Sequence, residues 1–294
     1  MPDTAVDRTF DDAYGVTIHY RWWSHPAPRA LVQIAHGVGE HSGRYLELAE
    51  ALVAAGYAVA ADDHRGHGRT GLQQHGGDAS QLGRLGPGGL RATEEAINRL
   101  TRELAAENPG LPIVLLGHSW GSLMAQRIVD HHSADYAALV LSGTAYRLPG
   151  FMNGGDLTRR HRQPGSLGLE WLSRDPAVWQ LFHDDQLTFT DPLAKRVGVI
   201  ETLRLVGRPA RRISPPLPLL IVIGAEDTLG GERSVRALAQ AYRRRSGFTD
   251  VSVRVYPEAR HELFQELNRG EVTADVVAWL DERFASPLPG AAPA

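Results

Sequence analysis

Gly117-His118-Ser119-Trp120-Gly121 comes straight after the apolar run 113–116 and straight before a helix-like stretch at 123–132. That context predicts a short buried strand turning sharply into a helix, with a serine at the apex. Glycines two residues to either side let backbone pass close to backbone, so the serine can take a strained turn and hold its Oγ clear. The helix that follows aims its unpaired N–H groups at the same point, where a negatively charged oxygen would form.

The rest of the chain alternates in the same way. Residues 16–23 read as an early strand and 31–35 as a short buried one, while 45–55 has helical spacing and stops at Gly56. Residues 57–61 form the next strand, and 62–89, rich in Gly and His, read as a long surface loop. A helix over 90–107 is stopped by Asn108-Pro109-Gly110. After the Ser119 helix come a strand at 137–142 and, further on, strand 217–223, helix 232–245, strand 251–256 and helix 272–284. Between 145 and 212 the rhythm breaks: Gly and Pro are scattered, Trp171 and Trp179 occur, and no buried strand is evident.

Strands alternating with helices predict an α/β fold, its central sheet mostly parallel and flanked by helices. Residues 1–144 and 213–285 make up the core. Residues 145–212 are expected as a cap inserted over the strand ends, where ligands bind in such sheets. The Pro/Ala-rich tail 286–294 is expected to be disordered.

Composition narrows the function. The 294 residues are 43% hydrophobic and 22% charged, as in a globular protein with a substantial core. A net charge of −3 argues against a nucleic-acid partner. There is no cysteine, which excludes disulfides and thiol catalysis. Asp3, Asp7 and Arg8 interrupt the N-terminal segment, so no secretory signal is expected. The longest strongly apolar stretch, 217–225, is broken by Pro218 and too short to span a bilayer. The expected compartment is the cytoplasm, and the expected assembly a monomer or homodimer. Asp62, Asp63, His64, His67 and His75 match no zinc-ligand spacing, so no metal is expected there. No dinucleotide fingerprint or phosphate-binding glycine loop is present, and no cofactor is expected.

A serine hydroxyl becomes a useful nucleophile only when a base takes its proton and a carboxylate orients that base. The expected order is Ser, then Asp or Glu, then His, each after a strand. Gly224-Ala225-Glu226-Asp227 follows one strand and Pro257-Glu258-Ala259-Arg260-His261 the next. Asp227 is preferred to Glu226 because the G-x-x-D form is the commoner one. Among thirteen histidines, order along the chain selects His261. Two N–H donors are needed for the oxyanion. Trp120 supplies one. Val38, in the His36-Gly37-Val38-Gly39 loop after the 31–35 strand, is the candidate for the other, with His36 bracing that loop.

These residues resemble a known family. The runs His36-Gly37-Val38-Gly39-Glu40-His41-Ser42-Gly43-Arg44-Tyr45, Asp63-His64-Arg65-Gly66-His67-Gly68 and Gly117-His118-Ser119 are similar to those of the α/β-hydrolase monoacylglycerol lipases and bacterial lysophospholipases. So are Leu172-Ser173-Arg174-Asp175-Pro176, Asp227, Tyr256-Pro257 with His261-Glu262, and Asn268-Arg269. The resemblance runs from about residue 15 to 284 and is weakest in the cap. It implies a serine hydrolase that cleaves the ester of one fatty acyl chain on a glycerol-like head, a small lipid substrate with no cofactor. It also implies that Glu40 and Arg44 lie near the alcohol end of the site, or else brace the oxyanion loop as an ion pair. A carboxylesterase, thioesterase or aminopeptidase on the same three residues stays open, as does a non-catalytic lipid-binding relative.

Three departures from the family pattern stand out: Trp120 in place of a methionine, Phe264 in place of a polar histidine, and Ser122 in place of a second glycine. The cap carries eleven Arg/Lys against seven Asp/Glu, a net +4 on a body of −7, which leaves peripheral contact with an anionic membrane open. Its apolar residues Leu169, Trp171, Leu172, Trp179, Leu181 and Phe182 are expected to line an acyl tunnel.

Overall fold

The computed structural model describes residues 5–284, so the expectation for 286–294 lies outside the described residues. Its strands are β1 (Val6–Asp11), β2 (Thr17–Trp23), β3 (Leu31–Ala35), β4 (Ala58–Asp62), β5 (Ile113–His118), β6 (Ala138–Ser142), β7 (Leu219–Gly224) and β8 (Val251–Tyr256). Among the described residues they form one sheet in the order β1-β2-β4-β3-β5-β6-β7-β8. The β1–β2 and β2–β4 pairings are antiparallel. Every pairing from β4 to β8 is parallel. The mostly parallel sheet expected from the sequence is present.

Helices α1 (Leu46–Ala54), α2 (Gly68–Gln74), α3 (Gly89–Glu107), α4 (Ser119–His132), α5 (Pro176–Asp184), α6 (Leu193–Arg196), α7 (Val199–Arg204), α8 (Gly231–Ala241) and α9 (Arg269–Phe284) complete the chain. Strands β3 to β7 are buried along their whole length, because helices cover both faces. Alternate residues serve opposite layers. Leu31, Leu115, Leu139 and Ile221 pack with Leu100 of α3, Met124 of α4 and Leu238 of α8. Val32, Val114, Val140 and Leu220 pack with Leu52 of α1 and Val276 of α9.

The structure departs from the sequence reading in several places, among them helix α2, which lies within the stretch 62–89 expected as a loop. Strand β1 was not expected. Its Val-Asp-Arg-Thr-Phe-Asp sequence is half charged and largely solvent-facing, and it forms by pairing along β2, from Val6 opposite Trp22 to Asp11 opposite Thr17. The start of the supposed surface loop at 62–89 is buried: Asp62, Asp63, His64, Arg65 and His67 are each 1% exposed or less. Most of its polar groups bond inward, while Asp62 Oδ1, His64 Nε2 and His67 Nε2 have no hydrogen-bond partner among the described residues. Asp63 Oδ1 accepts from Ser42 N at 2.8 Å and Ser42 Oγ at 2.6 Å, and Oδ2 accepts from Arg69 N at 2.8 Å. Arg65 pairs with Asp12 and donates to the carbonyls of Leu85 and Pro87 at 3.0 and 2.8 Å. Burial of such a loop costs little when its donors and acceptors are matched.

Between β6 and β7 the chain carries α5, α6 and α7. Helix α5 begins with Pro176 in its first turn, and Asp175 caps it by accepting from Ala177 N at 3.0 Å.

Helix α4 sits hard against the end of β3. A Cβ on Gly121 would lie 2.1 Å from Ala35 O and 2.4 Å from His36 O, and one on Gly117 would lie 2.7 Å from Ser122 Cα. In an open helix, Gly121→Ala would stabilise by about 0.8–1 kcal/mol. Here the collision with two fixed carbonyls should reverse the sign and destabilise by roughly 1–3 kcal/mol. A denaturant midpoint for Gly121→Ala that is unchanged or raised would contradict this packing.

Candidate active site

Ser119 is the first residue of α4 and takes φ +50°, the left-handed region that side chains disfavour. His118 before it is extended, so the chain reverses direction at the serine. His261 Nε2 lies 2.8 Å from Ser119 Oγ, and His261 Nδ1 lies 2.8 Å from Asp227 Oδ2. The three residues are 142 and 34 positions apart in sequence along these bonds. They meet because each follows a parallel strand, β5, β7 or β8, at its carboxyl end. Asp227 Oδ1 accepts from Leu229 N at 2.7 Å and Gly230 N at 3.3 Å, which fixes the carboxylate. The end of β7 is pressed against the histidine loop: a Cβ on Gly224 would lie 2.2 Å from both Ala259 O and Arg260 O. Glu226, the rival acid, instead pairs with Arg160 at 2.5 Å on the surface.

All three groups are removed from water, with Ser119 8%, Asp227 5% and His261 1% exposed. Burial alone would push the His261 imidazolium down, but the charge of Asp227 and its hydrogen bond outweigh it and raise the group above 6.5. Burial pushes Asp227 up, and the imidazole with the two N–H groups brings it below 3.8. A carboxylate bonded to Nδ1 requires the proton there, which leaves Nε2 free to accept from the serine hydroxyl.

The loop after β3 abuts the serine. A Cβ on Gly37 would lie 3.1 Å from Ser119 Cβ. His36 Nε2 accepts from His64 N at 3.0 Å, so Nδ1 carries the proton and donates to Gly37 O at 2.7 Å. Burial, with neighbouring His64 and His67, holds His36 well below 6.5, so it is uncharged and braces the turn. Gly37 N donates to Glu40 Oε1 at 2.6 Å, and Tyr45 Oη donates to the same oxygen at 2.8 Å. Gly39, at φ +78°, is clamped from outside, its carbonyl accepting from Phe189 N at 3.0 Å. The Trp120 indole stacks on His67 with ring centres 5.1 Å apart.

Glu40 and Arg44, the residues expected either at the alcohol end or in a brace, form one side of a three-residue charge cluster. Arg44 Nε is 3.2 Å from Glu40 Oε2, and Arg44 Nη2 is 2.6 Å from Glu262 Oε2. Two buried carboxylates thus share one guanidinium. Burial raises Glu40, but His118, Arg44 and Tyr45 outweigh it and leave it below 4.5. Burial raises Glu262, and the like charge of Glu40 adds to it against the pull of Arg44. His118, beside the nucleophile turn, is held by burial at about 4. Glu262 enters the sequence reading only within the His261-Glu262 match and without a role of its own; its place beside His261 is the signal it offers.

A cavity of about 330 Å³ opens above Ser119 and His261, with Val38 and Trp120 in its wall. Of the six apolar residues expected to line a tunnel, Leu169, Trp171, Leu172 and Phe182 reach it. Trp179 instead packs behind them, its indole N–H donating to Ser173 O at 2.7 Å, and Leu181 is 69% exposed. Leu181 is apolar on the outer side of α5, so the helical repeat alone could not assign its face.

Asp62 and His64 hold each other, His64 Nδ1 2.7 Å from Asp62 Oδ2, while Asp63 accepts from Ser42 and Arg69 N and His67 Nδ1 lies 3.0 Å from Arg65 O. His75 Nε2 lies 3.0 Å from Arg84 O. Among the described residues no group of three or more His, Asp or Glu has the arrangement of a metal site.

Comparison with known proteins agrees with this geometry. Residues 26–268 match the hydrolase family model described as serine aminopeptidase, S33. A monoacylglycerol lipase of Mycolicibacterium smegmatis is 32% identical over 293 residues, covering 95% of this chain and 98% of its own length. A human monoglyceride lipase is 26% identical over 296 residues, covering 94% of this chain and 90% of its own. A thermostable carboxyl esterase of Bacillus coagulans, solved in complex with glycerol, superposes with a TM-score of 0.84 at 25% identity, over 95% of this chain and 99% of the other. With the family model spanning most of the chain and a relative at 32% identity along nearly all of it, this protein belongs to the S33 serine aminopeptidase family of α/β hydrolases.

Proposed function

We propose that the protein hydrolyses esters of a single acyl chain through an acyl-enzyme on Ser119, with a monoacylglycerol as the substrate type. The observation that carries this reading is the 2.8 Å contact of Ser119 Oγ with His261 Nε2 at the base of an apolar cavity. The names of the relatives support the substrate type: both are lipases of monoacylglycerols.

Ser119 Oγ attacks the ester carbonyl as its proton passes to His261 Nε2. Asp227 keeps the imidazole in the Nδ1–H form and stabilises the imidazolium. The N–H groups of Val38 and Trp120 hold the oxyanion. As the tetrahedral centre collapses, the carbon–oxygen bond to the alcohol breaks and His261 hands that oxygen its proton. Water then repeats the cycle on the acyl-enzyme and releases the fatty acid. Glu40 and Arg44 act as positioning residues, Glu40 by fixing Gly37 next to the proposed Val38 donor. The segment 145–212 serves as the cap, its Leu169, Trp171 and Phe182 covering the acyl chain.

No helix among the described residues is long and apolar enough to cross a membrane. Lipid contact is proposed through α7, which turns Thr202 to the cavity while Val199, Ile200 and Leu203 are 62–69% exposed. On phosphatidylcholine vesicles containing phosphatidylglycerol, the double variant Ile200→Glu with Leu203→Glu should lower the bound fraction about tenfold. Equal sedimentation of wild type and variant would remove this contact.

Ser119→Ala should cut hydrolysis of p-nitrophenyl esters and of monoacylglycerol by about 10⁵–10⁶-fold and abolish labelling by a fluorophosphonate, with the unfolding midpoint retained. Turnover at the wild-type rate would end the assignment. Aminoacyl p-nitroanilides in the same panel test the peptidase chemistry in the family's description.

The base must be uncharged to act, so kcat/KM should fall as pH drops through the His261 pKa, with a midpoint above 6.5. Asp227→Asn removes the largest charge that opposes burial, leaving only the weaker influence of Glu262 and Glu40. The midpoint should then move down, and kcat should drop about 10⁴-fold. A midpoint that stays put in the variant would show that another group governs the profile.

A further inference from the structure

Glu262 follows His261 in the same loop and is 4% exposed. Its Oε2 receives Arg44 Nη2 at 2.6 Å, and its Oε1 makes no hydrogen bond among the described residues. Glu40, the other carboxylate on Arg44, has both oxygens engaged: Oε1 by Gly37 and Tyr45, Oε2 by Arg44. One acid of the pair is therefore fully occupied in holding the loop. The other keeps an oxygen without a partner. Glu262 lines the cavity beside His261, the group that protonates the departing alcohol, so the alcohol leaves next to it.

The cavity wall points the same way. The chain has 31 lysines and arginines, yet among the described residues none lines this cavity, whereas Glu40, Asp156, Asp191 and Glu262 do. Arg44 is withdrawn behind the Phe182 ring, its Cζ 4.7 Å from the ring centre. Asp156 pairs with Arg162, 55% exposed, and Asp191 with both Lys195, 70% exposed, and Arg196, 22% exposed, so these cations sit outside the cavity lining. A phosphate on the alcohol would meet carboxylates with no cation in the wall to receive it, and like charges brought together in a partly dry site repel strongly.

We propose that Glu262 determines head-group specificity: its unengaged carboxylate oxygen accepts a hydroxyl of the leaving alcohol, and this acidic, arginine-free wall selects uncharged polyol esters over esters whose alcohol carries a phosphate. The proposal rests on the ester-hydrolase reading above and adds to it the class of alcohol. A hydroxyl donor supplies that oxygen with the partner it lacks within the protein, and an alcohol without one does not.

The test compares kcat/KM for 1-octanoylglycerol and 1-octanoylglycerol 3-phosphate, below their aggregation concentrations, in wild type and Glu262→Gln. The two substrates share the acyl chain and the scissile ester, and their ratio within each enzyme is independent of how much protein is folded. Wild type should prefer the uncharged ester by about 100-fold, and Glu262→Gln should shrink that preference about tenfold. Equal rates on the two esters in wild type, or an undiminished preference in the variant, would overturn the proposal. Inhibition of the wild type by free glycerol but not by glycerol 3-phosphate supports it without any variant, and the reverse order counts against it. Absence of turnover on every ester would remove the underlying hydrolase reading, whereas turnover of both esters at one rate removes only the head-group assignment.

Discussion

A serine held at φ +50° between a strand and a helix is unfavourable in isolation, by roughly 1–3 kcal/mol for a residue with a side chain. The surrounding fold keeps it there. β5 lies between β3 and β6 in the middle of the sheet, so the strand that delivers Ser119 cannot shift. On the other side, α4 is drawn against the carbonyls of Ala35 and His36, a distance only glycine at 121 allows. With both ends fixed, the turn has one path, and that path lifts the hydroxyl off the sheet. The same contact brings the end of β3 next to the serine, which is why the loop carrying Val38 arrives at the same place.

Around this turn the protein buries an unusual number of ionisable side chains, and the arrangement works because nearly all are either neutral or paired. His36, His67 and His118 are stripped of charge by burial, the last two to about 4. Asp63 is saturated by hydrogen bonds from Ser42 and Arg69. His261 differs. Its neighbour Asp227 is also buried, so the attraction between them is weakly screened and exceeds the desolvation that depresses the other histidines. Three imidazoles with similar burial thus end on opposite sides of 6.5 from the fourth. A single carboxylate makes the difference.

How far the sequence could be read follows from the same physics. β3 and β8 have the limits expected at 31–35 and 251–256, the first a fully buried short run and the second a strand of alternating Val with Ser, Arg and Tyr, half-buried at the edge of the sheet. β7 starts at Leu219 rather than 217, after Pro218, which lacks the N–H that a ladder needs. β1 escaped notice because its stability comes from β2 and not from its own residues. The buried loop at 62–67 reads as solvent-facing because Gly, His and Asp mark a solvated loop and an inward-bonded one equally; only the partners, Ser42, Asp12 and Leu85, tell them apart, and these lie 20 or more residues away. For the candidate site, chain order and strand ends point to Ser119 and His261, and the G-x-x-D form to Asp227 over Glu226; the structure places these three side chains in 2.8 Å contacts. The cluster of Glu40, Arg44 and Glu262 was not readable, since which acid an arginine meets 218 residues away is decided by tertiary packing.

That cluster also bears on why charge is kept in a place where it is costly. A buried ion pair often stabilises no more than well-packed apolar residues of the same volume, so stability is a poor reason to retain Glu40, Arg44 and Glu262. Geometry is a better one. Arg44 reaches Glu40, which holds Gly37 in the loop after β3, and Glu262, which adjoins His261. Planar guanidinium contacts on two sides set the separation of those loops more tightly than apolar packing, which tolerates sliding. Catalysis by oriented N–H groups is sensitive to displacements of that size, because the donors act only where the oxyanion forms. A charged link between the loop expected to stabilise the negative charge and the loop that moves the proton is therefore worth its desolvation to an enzyme, even where it adds nothing to folding.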